Sequence, residues 1–217
     1  MAKKIGVLLS GCGYLDGAEI HEATLTLYFL DKAGAEIICM APDKDQMDVM
    51  DHNKKEPCGE PRNVMREAGR ISRGNMKDVA QVSADELDAL VIPGGFGAAK
   101  NLCTFAVDGP DCTVDPGVEK LVKAMHGAGK PIGALCIAPA LVAKILGDGV
   151  QVTIGNDKGT AEAIAKTGAV HQDQVVEDIV VDEAKKVVTT PCYMLGPGPA
   201  AVGAGIDKLV TKLLSWL

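Results

Sequence analysis

The strongest constraint on this chain is an alternation. Short runs rich in Val, Ile and Leu stop at glycine or proline, and most are followed by a segment whose apolar residues recur at helical spacing. Lys3 to Ser10 predicts a strand ending in "SGCG". Ala18 to Ala33 predicts a helix with Ile20, Ala23, Leu27 and Leu30 on its apolar side, closed by Gly34. "AEIICMAP" reads as a second buried strand, "VMDH" as a third, and "PRNVMREAGRIS" as a helix with Arg and Glu outward. "LDALVIPGGFG" is a strand running into glycines, and "DPGVEKLVKAMHGAG" a helix opened by Asp115 and Pro116. "KPIGALC" is a strand, followed by a helix from near Ile137 that carries Pro139 in its first turn, where a missing N–H costs little. "QVTIG" predicts a strand, "TAEAIAKTGA" a helix, "DIVVDEAKKVVTT" two strands around a polar turn, and Pro199 to Leu217 a last helix. Strand and helix in turn give an α/β fold, a mainly parallel sheet with helices on both faces and one local antiparallel pairing.

Length and charge narrow the class. A chain of 217 residues can bury roughly 70% of its unfolded surface as one unit and is short for two cores, so residues 1–217 read as a single domain. Only 3% of residues are aromatic while 25 are glycine, which suits close helix-on-sheet layers and tight turns. The net charge of −7 repels phosphate backbones and anionic lipid, which leaves small soluble molecules as the expected partners, with no nucleic acid and no membrane. The opening "MAKKIGVLLSGC" has the outline of a lipoprotein signal, but its apolar core, Ile5 to Leu9, is too short for one and reads as a buried first strand. Seven cysteines, an odd number without C-x-x-C or zinc-ligand spacing, point to a reducing compartment, read as the cytoplasm.

Ligands of doubly wound folds sit at the carboxyl ends of strands. Four such turns stand out: Ser10 to Gly13, Pro93 to Gly97, Cys136 to Ala138, and Pro191 to Tyr193. Neither glycine turn completes G-x-G-x-x-G, and neither has Walker A spacing, so no dinucleotide or nucleotide cofactor is expected. The "PGGFG" turn reads instead as a loop whose bare backbone N–H groups approach a ligand closely.

Cys136 differs from the other cysteines. Small residues two positions either side, Ala134 and Ala138, suit a sharp strand-to-helix turn that presents a nucleophile, and the following helix aims its N-terminal dipole at the sulfur. Burial in apolar surroundings acts the other way, so the local sequence leaves nucleophile and core filler both open. Cys12 is the nearest rival and a candidate substrate contact, followed by Cys192. For a proton partner, the four histidines are scattered, and Glu19 and Glu22 fall at the start of the helix after strand one. Helical periodicity places Glu19 nearer the Ile20, Ala23, Leu27 stripe, while capping the helix dipole is an alternative use for either.

"SGCGYLDGAEIHEATLT", "PDKDQMDVMDH", "LVIPGGFGAAKNL", "GKPIGALCIAPA" and "TTPCYMLG" together resemble, in order and over nearly the whole chain, the ElbB family, also called enhancing lycopene biosynthesis proteins. That family belongs to the PfpI-like branch of the class I glutamine amidotransferase superfamily. The resemblance implies a three-layer flavodoxin-like sandwich with Cys136 on the nucleophile elbow. The PfpI pattern D-G-x-E-x-x-E matches Asp16, Gly17, Glu19 and Glu22, which puts the acid that shares a proton with the thiol on Glu22 and leaves Glu19 as a second or substrate-contacting acid. Gly94 and Gly95 match the glycine pair whose backbone helps form the oxyanion hole, with the Ile137 N–H as second donor. Superfamily members are usually dimers, so a homodimer is expected.

Two departures bear on the chemistry. PfpI-type proteases carry His directly after the nucleophile, where this chain has Ile137, and the late His-x-Glu of amidotransferases is only imitated by "HQD" at His171 to Asp173. Similar family members are described as cofactor-independent glyoxalases, which convert glyoxal or methylglyoxal and water to a 2-hydroxy acid; that activity needs a thiol and one carboxyl group, and a small carbonyl substrate is implied. An amidohydrolase or deglycase, and a redox-responsive binding or chaperone protein, are the competing expectations. No Asp-rich magnesium motif is present for a prenyl diphosphate, so any isoprenoid link is indirect.

Overall fold

The computed structural model describes residues 2–217. Its strands are, in chain order, β1 Lys4–Leu8, β2 Glu36–Ala41, β3 Met50–Asp51, β4 Glu56–Pro57, β5 Lys77–Asp78, β6 Ala89–Ile92, β7 Ile132–Leu135, β8 Gln151–Val152, β9 Val170–His171, β10 Val180–Asp182 and β11 Val187–Thr190. The α-helices are α1 Ile20–Lys32, α2 Val64–Ala68, α3 Phe96–Lys100, α4 Phe105–Asp108, α5 Pro116–Gly127, α6 Ala138–Leu146, α7 Lys158–Ala165 and α8 Pro199–Leu214. Seven strands form the main sheet in the order β10-β11-β7-β6-β1-β2-β5. Every pairing in it is parallel except β10 with β11.

The central strands alternate between two cores, as the two-residue period of a strand requires. Ile5, Val7 and Leu9 of the first strand segment, with Ala89 and Val91 of β6, join the core under α1 and α8. Leu8, Leu90 and Ile92 point to the opposite core, which is closed by α5 and α6. β6 and β7 are buried along their whole length, the pattern of strands covered on both faces. The α/β sandwich with a mainly parallel sheet is thus the observed fold. No helix among the described residues is long and apolar enough to cross a membrane.

Local signals explain most boundaries. Asp115 caps α5 by accepting from the N–H groups of Gly117 and Val118, and Pro116 occupies the first turn. Pro139 sits in the first turn of α6, after Ile137 at its N-cap. Several expectations are corrected. "VMDH" supplies β3, which pairs antiparallel with β4 outside the main sheet, and the edge place beside β2 goes to β5, only two residues long. "QVTIG" is likewise outside the main sheet, because β8 pairs with β9. The helix expected over 61–72 is confined to α2, capped by the Asn63 side chain and followed by turns from Gly69. Residues 96–100 and 105–108 form short helices that no periodicity announces. The stripe on α1 is rotated from its expected position: Ile20 is 45% exposed, and the buried face runs through Glu22, Ala23, Thr26 and Leu30.

Candidate active site

The site is built at the carboxyl edge, where β7 hands over to α6. Cys136 has φ +60°, a left-handed conformation rare for a residue with a side chain, so the turn is the strained elbow that the flanking Ala134 and Ala138 allow. A bond from the Cys136 N–H to the Thr190 carbonyl (2.9 Å) fastens the turn to the end of β11. Strain of about 1–3 kcal/mol persists at such a position only where its surroundings over-determine it.

The loop after β6 brings the second component. A Cβ on Gly94 would overlap the Cys136 Cβ, and would stand 2.7 Å from Glu22 Oε2 and 2.8 Å from the Leu135 carbonyl oxygen. Gly95 has φ +90°, and a Cβ there would run into the backbone of Gly17 to Glu19. The Glu19 N–H donates to the Gly94 carbonyl (2.9 Å), which stitches this loop to the start of α1.

Glu22 is the third component and is fully buried. Its Oε2 accepts from the Gly94 N–H (2.9 Å), and its Oε1 accepts from the Tyr193 N–H (3.2 Å). The carboxyl group also lies beside Cys136, since a Cβ on Gly94 would meet both side chains. Burial, then the charge of Glu19, push the carboxyl up to about 8, although its two backbone donors and the thiol favour the ionised form. Burial, then Glu22, also hold the Cys136 thiol well above its ordinary value. The backbone N–H groups of Gly95 and Ile137 act in the opposite sense by hydrogen-bonding the sulfur. Apolar burial therefore outweighs the helix end at Cys136, and the resting pair is a thiol beside a mostly protonated acid that can exchange one proton between them.

The expected residues fall into distinct places. Cys136, Glu22, Gly94, Gly95 and Ile137 are brought together, but with one correction: the Gly94 N–H is taken up by Glu22, so the donors that face the sulfur are those of Gly95 and Ile137. Glu19 is half-buried at the N-cap of α1, where its Oε2 accepts from the Glu22 N–H (2.7 Å). The periodicity reading of Glu19 as the more core-facing acid is thereby overturned, because α1 buries its Glu22 side. Cys12 lies outside the lining of the cavity at Cys136; its nearest charges are those of Arg70, Glu67 and Asp16, and burial pushes its thiol up. Cys192 is wholly buried, with φ +46°, and lies behind the Cys136 backbone without lining the cavity itself. His171 turns away, its Nε2 accepting from the Ile154 N–H (3.2 Å). Asp16 accepts from the Met50 N–H (2.7 Å), so this member of the D-G-x-E-x-x-E pattern fastens β3 to the loop after β1.

A cavity of about 390 Å³ opens above Cys136. Of the rest of its wall, sequence reasoning reached Phe96 and Tyr193 only as members of their turns and did not name Tyr14, Thr160 or Met194. Three of these had a signal, since Tyr14 and Phe96 follow glycine turns after strands and Tyr193 closes the Pro191 turn. Thr160 and Met194 had none. Tyr193 also pairs through its hydroxyl with His21 Nδ1 (2.7 Å).

A strained cysteine at a strand end of a parallel sheet, joined to a buried acid from the first helix, defines a protein with the class I amidotransferase-like fold and a cysteine elbow. The chain belongs to the DJ-1/PfpI family, whose profile matches residues 11–192; that family includes enzymes with a cysteine nucleophile.

Among its relatives is the human glutamine amidotransferase-like class 1 domain-containing protein 3, mitochondrial, 49% identical over 98% of this chain and 83% of that protein. The mitochondrial ES1 protein of Danio rerio is 38% identical over 88% of this chain and 76% of that protein. The crystal structure of an isoprenoid biosynthesis protein with amidotransferase-like domain from Ehrlichia chaffeensis superposes with a TM-score of 0.91 at 39% identity, covering 99% of this chain and 100% of that one. Drosophila melanogaster DJ-1beta, at 20% identity and a TM-score of 0.59 over 99% of this chain and 95% of that one, shares the fold. The cytoplasmic expectation is corrected by these comparisons, because the curated relatives, including the rat ES1 protein homolog, are named as mitochondrial. Unpaired thiols report the redox state of a compartment and not which membrane encloses it.

Proposed function

We propose that this protein is a cofactor-independent glyoxalase of the ElbB branch, which converts glyoxal or methylglyoxal and water to a 2-hydroxy acid. The observation that carries the reading is the juxtaposition of Cys136 and the buried Glu22 carboxyl across Gly94, that carboxyl raised to about 8, at the base of a cavity with no histidine in its lining. Such a pair moves protons near neutrality without a separate base. The motif resemblance and the 39% identity to the Ehrlichia chaffeensis protein support the branch.

In this mechanism the ionised fraction of Glu22 takes the thiol proton as sulfur adds to the aldehyde carbon, and the carbonyl π electrons move onto oxygen. The N–H groups of Gly95 and Ile137, already directed at the sulfur, stabilise that oxyanion until a proton returns to it and completes the hemithioacetal. Glu22 then removes the C–H proton from the sulfur-bearing carbon to give an enediolate and delivers it to the neighbouring carbon, while the hydroxyl proton of the sulfur-bearing carbon passes to the neighbouring oxygen. The result is a 2-hydroxy thioester on Cys136. Water attacks that thioester, the C–S bond breaks, and the thiol and the 2-hydroxy acid are released. No external oxidant is consumed, since one substrate carbon is oxidised as its neighbour is reduced.

Purified protein given glyoxal is expected to form glycolate, and Cys136→Ala to abolish it. Equal glycolate formation by the variant would remove the thiol from the reaction and refute the proposal.

A further inference from the structure

The cavity above Cys136 is larger and less polar than glyoxal requires. Its volume of about 390 Å³ lies in the range, about 300–1,000 Å³, that encloses a drug-sized ligand. Glyoxal, with two carbons and two oxygens, would leave most of it to water. The walls are Tyr14, Phe96, Ile137 and Met194, with Tyr193 beside them. Phe96 and Tyr14 line this cavity and remain 47% and 40% exposed, although the Tyr14 ring also meets His52 edge-on.

Three of its polar side chains are already engaged. The Tyr193 hydroxyl pairs with His21, the Thr160 hydroxyl donates to Asp157 (2.7 Å), and Glu19 accepts from the Glu22 N–H. The lining contains no Lys, Arg or His. Lys100 lies 5.5 Å from the centre of the Phe96 ring, but its ammonium is held by Asp48 (2.8 Å) and the Leu15 carbonyl (3.1 Å). An anionic substituent would therefore meet Glu19 with no cation to offset it.

We infer that the cavity selects 2-oxoaldehydes bearing an uncharged apolar substituent, which Tyr14, Phe96, Ile137 and Met194 receive while Glu19 excludes anions. The inference rests on the glyoxalase reading and deepens it by naming the substrate class. The carbonyl chemistry at Cys136 is unchanged, and only the binding of the unreactive end differs along a substrate series. That binding is realised through kcat/KM.

The test is an alkyl series with matched electronics: methylglyoxal, 2-oxobutanal, 2-oxopentanal and 2-oxohexanal, with glyoxal and the anionic 4,5-dioxopentanoate alongside. We expect kcat/KM to rise by about two- to fourfold per added methylene, the upper figure corresponding to full burial. The anion should fall at least about tenfold below 2-oxohexanal, a loss that reduced charge repulsion in Glu19→Gln should narrow. Phe96→Ala should flatten the ratio of 2-oxohexanal to methylglyoxal. Turnover of glyoxal with a flat or falling series, and an anion as good as 2-oxohexanal, overturns the inference and leaves the glyoxalase reading intact. Absence of turnover with every dicarbonyl overturns that reading instead, and the cavity is then read from Cys136 alkylation by N-butyl iodoacetamide and iodoacetate, each normalised to a free thiol. A preference of at least about tenfold for the uncharged reagent supports the apolar selectivity, and equal rates refute it.

Discussion

Glu22→Gln separates the energetics of the site from its chemistry. In the unfolded chain the Glu22 carboxyl ionises near its ordinary 4.5, and in the folded chain near 8. Between those values the unfolded state has released a proton that the native state keeps, so stability from this group is complete below the lower value and is lost as pH rises through the upper one. At about 1.36 kcal/mol per pH unit, the loss from pH 5 to pH 8 is on the order of 3 kcal/mol. Gln has no such titration. It does have a single acceptor oxygen for the two N–H groups, Gly94 at 2.9 Å and Tyr193 at 3.2 Å, that the carboxyl group serves. One buried N–H therefore faces an amide donor, at a cost of about 1–3 kcal/mol. The variant is expected to be less stable than the wild type at pH 5, with the gap closing or reversing by pH 8. Urea unfolding at pH 5, 6.5 and 8 measures the difference in ΔG between the two proteins, from which titrations common to both, such as that of His171, cancel. Curves that stay parallel within about 1 kcal/mol across this range would refute the assignment of a raised carboxyl value to Glu22.

Three further outcomes follow from the same geometry. Because only ionised Glu22 can accept the thiol proton, kcat/KM for glyoxal should climb with pH to a plateau above about 8, a rise measured by initial rates from pH 6 to 9 and absent from Glu22→Gln. Gly94→Ala places a methyl group onto Cys136 and Glu22; overpacking of this kind costs about 1–3 kcal/mol, seen by urea unfolding, and glycolate formation should be lost with it. Asp16→Ala leaves the Met50 N–H without its acceptor at a cost of about 1–3 kcal/mol, and because Asp16 belongs to the loop that carries Tyr14, the KM for glyoxal should rise more than kcat falls in steady-state kinetics.

The order of strands and helices was legible because burial period and turn residues are local properties. The all-apolar runs at 89–92 and 132–135 could only be strands covered on both sides, and Gly34, Pro116 and Pro139 marked helix ends. Short elements were not legible. β5 contains two residues, Lys77 and Asp78, and exists because β2 offers it an edge, not because its own sequence prefers extension. The same limit applies to β3 and β8, whose apolar residues satisfy a strand pattern without specifying which sheet they join.

At the site, the local sequence admitted an elbow at Cys136 without choosing it over core filler, and the motif resemblance made the choice. Small residues around Cys136, a proline in the next turn and glycines after β6 are requirements of the backbone, and they are written at fixed spacing. The motif resemblance singled out Glu22, where helical periodicity favoured Glu19. Only the tertiary structure decided how that acid is used, since α1 turns Glu22 beneath the Gly94 loop and Tyr193 supplies a donor from 171 residues away in the chain. It also gave the Gly94 N–H to Glu22 and assembled the apolar wall from four separate strand ends and α7. A titrating value near 8 and an apolar cavity arise from desolvation by neighbours distant in sequence, and desolvation has no local spacing to be read.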